Sequence, residues 1–273
     1  MLLSRCRKAI DTFAPPLGWW YRMLRDATSR RRARKTQYGF TLSGDPTMAV
    51  EGWEAEEIGA FLAMIETHDV VADIGANVGM YTCLAASRGK PVIAFEPSAR
   101  NLSYLYRNLW DNAFRGVEVF PMGLARRPGL GRIYGYGGIA SFVPGWAQAR
   151  EARFTLGPLT TLDSVVAGRF GGKRLLIKLD VEGFELEVLA GAEETLRLVP
   201  KPTWLIEILL RDEVIPGGVN PNFSETFQIF WEHGYQCRKL DAALTRVLPD
   251  DVRRWVINGF VEAETHGFCF SAD

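Results

Sequence analysis

The residues best suited to chemistry lie in the segment Leu175–Glu185, where charged side chains follow a short apolar run. Because side chains alternate along a strand, Lys178, Asp180 and Glu182 would share one face if the strand continued that far. Ligands of open α/β sheets bind at the carboxyl ends of the strands, so these three residues are candidates for proton transfer. An alternative stays open, in which Lys178 and Asp180 form a structural ion pair while Glu182 and Glu185 cap the next helix.

A further carboxylate, Glu207, interrupts the apolar segment Leu205–Leu209, which predicts a neighbouring strand. A carboxylate inside an apolar strand needs a partner, and Lys178 is the obvious one. Glu207 is therefore a second-rank candidate for the same chemistry.

The segment Val70–Thr82 predicts a strand, a glycine-rich turn and the start of a helix. Gly75 and Gly79 would let a ligand approach the backbone, and the helix start offers unpaired N–H groups. The pattern D-x-G-x-N-x-G differs from the G-x-G-x-x-G of dinucleotide sites, because Asn77 stands two residues after Gly75, and it lacks the G-K-[ST] of a P-loop. Asp73 would repel a pyrophosphate and suits a ligand with a cationic centre.

Glu96 follows the next apolar run, 21 residues after Gly75. A carboxylate at the end of the second strand is placed to accept hydrogen bonds from two ribose hydroxyls. Together with the glycine-rich turn, it indicates an adenosine-type ligand without phosphates, which is S-adenosylmethionine.

Strand-like and helix-like segments alternate from residue 70 onward, which predicts an α/β fold with parallel βαβ units and right-handed crossovers. Helices are predicted at Trp53–Ile65, Tyr81–Ser87, Ala99–Trp110 and Phe223–His233. The predicted strands are Val70–Ile74, Pro91–Phe95, Val117–Met122, Leu175–Leu179, Thr203–Leu209 and Tyr235–Leu240, with two strand-like segments, Trp255–Val261 and Gly267–Ser271, that suggest an antiparallel C-terminal hairpin.

The chain divides into a basic extension at residues 1–36 and a folded domain at residues 37–273. The extension holds ten Lys and Arg against two Asp, a net charge of +8, among Trp and Leu residues. We expect a helical extension with a solvated basic face; peripheral membrane contact or packing against a second subunit stays open, and nucleic-acid binding is unlikely because the rest of the chain is acidic.

Residues 125–160 form an insertion rich in glycine and aromatic residues between the third and fourth strands. A connection of this length in a compact domain is usually functional, so we expect a lid or binding loop, with an inert insertion as the alternative. Tyr134, Tyr136, Phe142 and Trp146 could each stack on a sugar ring or simply pack.

The composition, 47% hydrophobic and 23% charged, is that of a globular domain rather than a disordered chain. No apolar run approaches the roughly 18 residues that would span a bilayer, and no secretion signal is evident. The four scattered cysteines form no zinc or redox motif, so we expect a cytoplasmic protein. The three histidines suit structural roles, although His233 could reach the strand ends.

The stretches "VVADIGANVGMYT", "AFEPSARNLSYLYRNLWDN" and "LLIKLDVEGFELEVLAGA", in that order, resemble the FkbM family of class I S-adenosylmethionine-dependent methyltransferases over about residues 40–240. The resemblance implies a Rossmann-like fold with a seven-stranded, mostly parallel sheet, and methyl transfer to a hydroxyl of a sugar, glycan or natural product. It also implies a set of cofactor-binding residues, namely Asp73, Gly75, Ala76, Asn77, Gly79, Glu96, Pro97, Asn101, Gly123, Ser141 and Asp180. Asp73 and the turn would line the methionine end and Glu96 would hold the ribose.

One departure concerns the adenine. Many class I enzymes have an acidic residue just after the third strand, whereas this chain has the segment Phe120–Leu124 without one. Adenine would then be held by apolar packing and backbone groups.

Methyl transfer to a neutral hydroxyl requires a base within hydrogen-bond reach, or a metal that lowers the hydroxyl pKa. We expect Asp180 or Glu182 to be the base, with Lys178 positioning it or stabilising the developing oxyanion and Glu207 as the second-rank candidate. Carboxylates at one rim could bind Mg²⁺, but no ligand set of recognisable spacing exists, so a metal is not expected. Trp53 and Glu54 could close over the site or begin a helix.

Three alternatives remain. A methyltransferase acting on RNA or protein nitrogen often carries N/D-P-P-Y/F after the fourth strand, where this chain has D-V-E-G. A nicotinamide oxidoreductase is disfavoured by the missing G-x-G-x-x-G. A non-catalytic scaffold with a cofactor fold is the third.

Overall fold

The computed structural model describes residues 33–241, 243–261 and 266–272. Residues 1–32, which make up most of the predicted extension, lie outside the described residues, so its helical character and its proposed contacts stay predictions. A short antiparallel ribbon of β1 (Arg34–Lys35) and β2 (Thr41–Leu42) precedes the α/β domain.

The domain is built on an eight-stranded mixed sheet whose central strands are parallel. Its strands in chain order are β3 (Val70–Ile74), β4 (Val92–Phe95), β5 (Val117–Phe120), β9 (Leu175–Leu179), β10 (Thr203–Glu207), β11 (Gln236–Lys239), β12 (Arg246–Val247) and β13 (Gly267–Ser271). Across the sheet they run β12-β11-β13-β10-β9-β3-β4-β5, with β13 antiparallel to both of its neighbours. The predicted α/β fold with a mostly parallel sheet and an antiparallel C-terminal element is confirmed. The eighth strand is the two-residue β12.

Helices cover both faces of this sheet, as buried parallel strands require. They are α1 (Ala55–Ile65), α2 (Met80–Ser87), α3 (Ala99–Asp111), α4 (Leu162–Val166), α5 (Glu185–Leu189), α6 (Glu193–Leu196), α7 (Phe223–Glu232) and α8 (Pro249–Asn258). Alternation along β3 divides the core: Val70 and Ala72 pack with α4 to α8, whereas Val71 packs with α1 to α3. The sheet is therefore covered on both sides, and its strand ends are left to form a site.

The predicted strand Trp255–Val261 is wrong, because residues through Asn258 belong to α8. Pro249 begins this helix, the side chain of Asp251 accepts a hydrogen bond from the backbone N–H of Leu248, and Gly259 ends the helix in the left-handed region at φ 76°. The buried Val252 and Trp255 follow helical spacing, which the short apolar run alone did not reveal.

The insertion at residues 125–160 contains regular structure. A second sheet, β6-β8-β7, consists of β6 (Gly123–Leu124), β7 (Gly129–Tyr134) and β8 (Phe154–Thr160), with β7 and β8 antiparallel. The Phe142 ring packs over Gly123 and Gly131, where any Cβ would come within 2.6 Å of the ring. Within the part of the chain that the structure describes, no helix has the length and apolar character needed to cross a membrane.

Candidate active site

A cleft of about 610 Å³, counted with the solvent at its mouth, lies at the carboxyl ends of β3, β4 and β9. It lies where ligands bind in open α/β sheets. It brings together nine residues singled out from the sequence: Gly75, Asn77, Glu96, Pro97, Asn101, Gly123, Ser141, Asp180 and Glu182.

The glycine-rich turn after β3 forms one wall of the cleft. Gly75 has a φ of 84°, and a Cβ there would lie 1.8 Å from the backbone oxygen of Asp180. The turn therefore packs directly on the chain that leaves β9, and only glycine fits. Asn77 follows in the left-handed region at φ 52°.

Glu96, at the end of β4, is the carboxylate held most firmly in the cleft. It is 4% exposed, and its two oxygens accept hydrogen bonds from the backbone N–H groups of Asn77 at 2.8 Å and Ser98 at 2.7 Å. Burial raises the pKa of Glu96 to about 7 although these hydrogen bonds, and one from the Asn101 side chain, favour the charged form. Each carboxylate oxygen has a second lone pair, so the group can still accept from a ligand hydroxyl.

Two amide oxygens in the same cleft have no hydrogen-bond partner among the described residues. They are Oδ1 of Asn77 and Oδ1 of Asn101, both buried. The Nδ2 of Asn101 donates a hydrogen bond to the backbone oxygen of Gly137, 3.1 Å away in the insertion. Buried acceptors are normally satisfied, so these two oxygens indicate a ligand that carries N–H or O–H donors.

The opposite wall of the cleft is apolar. Met122, Leu124, Ile133, Phe142 and Phe184 supply it, and the segment Phe120–Leu124 that directly follows β5 contains no acidic residue. This wall suits a flat aromatic base held by packing, as expected for the segment after the third strand.

A second, shallower pocket of about 230 Å³, counted with the solvent at its mouth, adjoins the cleft, and Asp180 and Glu182 line both. Glu207 from the end of β10 and Glu185 from α5 contribute further carboxyl groups to it, and Trp146 from the insertion forms another part of its wall. A ligand in the cleft and a second ligand in the cavity would therefore meet at the two shared carboxylates.

The carboxyl groups at this junction repel one another. Burial, followed by the charge of Asp180, raises the pKa of Glu182 to about 8. The charge of Asp180, followed by burial, raises the pKa of Glu207 to about 9, and burial raises that of Glu185 to about 7. Carboxyl groups with pKa values in this range can exchange protons near neutral pH.

Lys178 is the cation beneath this cluster. It is 3% exposed, and its Nζ lies 3.5 Å from Oδ2 of Asp180 and 5.0 Å from the centre of the Tyr81 ring. Burial disfavours its charged form, but the carboxylates of Asp180, Glu57 and Glu207 outweigh burial and hold its pKa above its ordinary value. Lys178 therefore stays charged, and its ion pair holds the carboxylate of Asp180 in position.

The match to known proteins agrees with this geometry. Residues 73–237, more than half of the chain, match the family profile described as the methyltransferase FkbM domain. The chain belongs to the FkbM methyltransferase family. The resemblance inferred from the three sequence stretches is thereby confirmed.

A curated relative of this FkbM chain is the hexuronic acid methyltransferase AglP of Haloferax volcanii, 30% identical over 153 residues. The match covers 54% of this chain and 59% of the relative, so it spans about three fifths of that protein.

Similar solved structures include two methyltransferases. One is the ribosomal protein L11 methylase of Lactobacillus delbrueckii subsp. bulgaricus, with a TM-score of 0.44 and 14% identity over 84% of this chain and 83% of that one. The other is the human methyltransferase 10 domain containing protein, with a TM-score of 0.45 and 12% identity over 92% of this chain and 95% of that one.

Some predicted site residues of the FkbM chain lie outside the cleft. Asp73 is buried beneath the turn, where it accepts a hydrogen bond from the Thr82 hydroxyl and where burial raises its pKa to about 6. Ala76 packs in the core on the α1 to α3 side, and Gly79 makes room for Leu105 of α3. These residues build the turn, whereas Ile74, Gly75 and Asn77 line the cleft.

The residues predicted to share a strand face are brought together differently. β9 spans Leu175–Leu179 as predicted, so the condition for a shared strand face, a strand that continues to Glu182, is not met. Glu182 instead lies in a left-handed turn at φ 55°. Lys178 forms its ion pair with Asp180 rather than with Glu207, which lies in the second cavity.

Two further expectations need correction. The ring of His233 forms a hydrogen bond with the backbone oxygen of Ile229, and its own backbone carbonyl accepts one from Lys201. Because Lys201 precedes β10, His233 lies near the amino end of that strand, whereas the cleft lies at the carboxyl ends. Tyr134 is buried, which leaves packing rather than stacking as its role, and Trp146 is buried at the wall of the second cavity. Of the described residues, no three His, Cys, Asp or Glu side chains group as metal ligands.

The sequence did not predict that Tyr81, Glu54 and Glu57 surround Lys178. Tyr81 donates a hydrogen bond to Glu54 at 2.8 Å, and Glu57 lies one helical turn further on. Burial raises the pKa of Glu54 to about 7. The spacing of Glu54 and Glu57, three residues apart at the start of a helix, is the sequence signal that places both on one face.

Proposed function

We propose that this chain is an S-adenosylmethionine-dependent O-methyltransferase that methylates a hydroxyl of a sugar, glycan or natural product. The observation that carries the proposal is the pair of joined cavities that meet at Asp180 and Glu182. When bound, the cofactor supplies an electrophilic methyl group, and the protein must hold, orient and deprotonate the acceptor.

The cleft suits an adenosine-type cofactor. Glu96 accepts hydrogen bonds from the ribose diol, and the unpaired Oδ1 atoms of Asn77 and Asn101 accept from N–H or O–H donors. The apolar wall packs the adenine. The methionine end would lie at the Gly75 turn, which packs on the backbone of Asp180, and the carboxylate of Asp180 would favour the cationic centre of the cofactor.

The acceptor occupies the second cavity in this proposal, and its proton goes to a carboxylate at the junction. Glu182 is the first candidate base because its pKa of about 8 lies close to neutral pH. Asp180 is the second candidate, and its ion pair with Lys178 holds it in place. Lys178 itself lines neither cavity, which favours a positioning role over direct contact with an oxyanion.

The charges of the second cavity favour a neutral acceptor. Four of its lining side chains carry carboxyl groups, and none of the described residues that line it is basic. A hexuronic acid, the acceptor in the name of the archaeal relative, would bring another carboxylate into this cavity. We therefore expect hydroxyl-rich acceptors without an anionic group to be preferred.

Calorimetric titration with S-adenosylhomocysteine tests the cofactor site. Wild-type protein is expected to bind in the micromolar range, and Glu96→Ala is expected to lose binding at least about tenfold. Glu118→Ala is the matched control, because Glu118 is an exposed carboxylate on the adjacent β5 that pairs with Arg169. Failure of well-folded wild-type protein to bind would refute the proposal and favour a non-catalytic scaffold.

A panel of acceptors then tests the chemistry. Transfer of a labelled methyl group is measured for neutral sugars, matched hexuronic acids, hydroxylated metabolites, RNA and protein. Preference for a uronate over its neutral counterpart would contradict the charge argument, and transfer to RNA or protein would replace the acceptor class.

A further inference from the structure

The insertion at residues 125–160 reaches the junction of the two cavities through one indole group. The Nε1–H of Trp146 donates a hydrogen bond to Oε2 of Glu182 at 2.8 Å. Trp146 is 2% exposed and lines the second cavity but not the cofactor cleft. Its contact with Glu182 is therefore made inside the protein, on the acceptor side.

The surrounding chain holds Trp146 in this position. Gly145 lies in the left-handed region at φ 78°, and a Cβ there would come within 3.5 Å of Pro216. The backbone N–H of Ala147 donates to the carbonyl of Val214 at 2.6 Å. The loop that carries the indole is thus held against the segment that follows β10.

The turn that carries Glu182 is shaped to receive the indole. At Gly183 a Cβ would lie 2.3 Å from the Trp146 ring, so the ring lies directly on the turn. A second insertion residue, Ser141, donates its hydroxyl to the backbone carbonyl of Glu182 at 2.6 Å. The insertion therefore holds Glu182 by its side chain and by its backbone.

We propose that Trp146 is a positioning residue for the base, holding one oxygen of Glu182 so that the other is presented at the junction of the two cavities. The catalytic meaning of this role rests on the proposed function, whereas the hydrogen bond itself does not. A hydrogen bond to a carboxylate favours its charged form, which is the form that accepts a proton. Loss of the indole would leave Glu182 more often protonated and less well oriented.

The charges that act on Glu182 come from several elements. Asp180 and Glu185 of the same segment repel its charge, Lys178 of β9 attracts it, and Glu207 of β10 is a further carboxyl group of the same cavity. Because Glu182 and Glu207 interact, their protons leave in steps that belong to the cluster. An experiment must therefore separate Glu182 from its neighbours.

Nuclear magnetic resonance of ¹⁵N-indole-labelled full-length protein provides that separation and needs neither cofactor nor acceptor. The chain has eight tryptophans, and Trp146→Phe identifies the Trp146 signal. We expect this indole signal to titrate with a midpoint near pH 8, the pKa of Glu182. The signal of Trp110, which is 80% exposed, serves as the internal control and should not move.

Two variants assign the titration. Glu182→Gln keeps an acceptor for the indole but removes the charge, so the signal should remain and lose its titration. Asp180→Asn should lower the midpoint by about half a pH unit or more, because a repelling charge is removed. If Trp146→Phe does not fold, the signal whose titration disappears in Glu182→Gln identifies Trp146 instead.

Either of two results would overturn the proposal: a Trp146 signal that does not move between pH 6 and pH 10, or one that still titrates in Glu182→Gln. S-adenosylhomocysteine affinity of Trp146→Phe should stay within about twofold of wild type, because Trp146 does not line the cofactor cleft. Absence of cofactor binding by the wild type would refute the proposed function and leave the titration unaffected.

Discussion

Replacing Lys178 with methionine is expected to lower the free energy of unfolding by about 3–5 kcal/mol at pH 8. The ammonium of Lys178 is buried 3.5 Å from Asp180, and at an effective dielectric constant near 20 that pair alone is worth about 5 kcal/mol before desolvation. Methionine nearly fills the same space, so the loss comes from charge rather than from a cavity. What remains is a set of carboxylates without a cation.

The loss should grow with pH. Glu54 and Glu207 have pKa values of about 7 and 9 in the fold, above their ordinary range, so their ionisation destabilises the protein as pH rises. Lys178 attracts both charges, and its removal raises both pKa values further. At pH 5 these groups are protonated with or without Lys178 and contribute nothing to the difference. At pH 9 each further unit of pKa adds up to about 1.4 kcal/mol to the loss.

Urea unfolding followed by tryptophan fluorescence at pH 5 and pH 9 measures the loss of unfolding free energy and its increase with pH. Lys173→Met is the matched control, since Lys173 is exposed just before β9, and it should cost less than about 0.5 kcal/mol. Adding Glu207→Gln to Lys178→Met should restore part of the stability at pH 9. An equal loss at both pH values would refute the coupling of Lys178 to these carboxyl groups, and a loss below about 1 kcal/mol would refute its role as their main cation.

Three more predictions concern the turn, the packing of α3 and the charge of the cofactor. Gly75→Ala should cost more than about 3 kcal/mol in thermal or urea unfolding, because its Cβ would lie 1.8 Å from the backbone oxygen of Asp180 at a φ of 84°. Asn108→Ala should cost about 2–4 kcal/mol in the same assay, because the buried Asn108 amide makes three backbone hydrogen bonds to the turn region and the chain before α1. Binding of S-adenosylmethionine at pH 7.5 should release more protons than binding of S-adenosylhomocysteine, because the positive sulfonium favours the ionised form of Glu182. Calorimetry in buffers of different ionisation enthalpy measures the number of protons released. Equal release for the two ligands would contradict this prediction.

The cofactor cleft was largely predictable because its residues follow local rules. Gly75, Asn77 and Glu96 each lie within three residues of the end of an apolar run, and the carboxyl ends of parallel strands meet at one edge of a sheet. Once the runs are recognised as strands, the topology places their end residues together. Whether these residues bind the cofactor stays a prediction until the titration is done.

The acceptor side depended on contacts that no local pattern encodes. Glu182 lies beside Asp180 through a left-handed turn, whereas alternation along a strand had been expected. Trp146 is 36 residues away in sequence, and the sequence suggested for it only stacking on a sugar ring or packing. An indole has an apolar body and one N–H donor, and only the fold decides which of the two a site uses.

The charge of the site helps to explain how one pocket could bind a methyl donor and release the product. Asp180, Glu182 and Glu207 lie near one buried cation of the described site, Lys178, which pairs with Asp180. The pKa values of Glu182 and Glu207 are raised, so a further positive charge at the junction would favour their ionised forms. On the proposed function the donor is a sulfonium and the product is a neutral thioether. The carboxylates therefore attract the donor more strongly than the product. This attraction is lost when the methyl group is transferred, because the positive charge leaves the sulfur with it. The same carboxylates give up protons more readily while the donor is bound, so the base is ionised most fully when there is a methyl group to transfer.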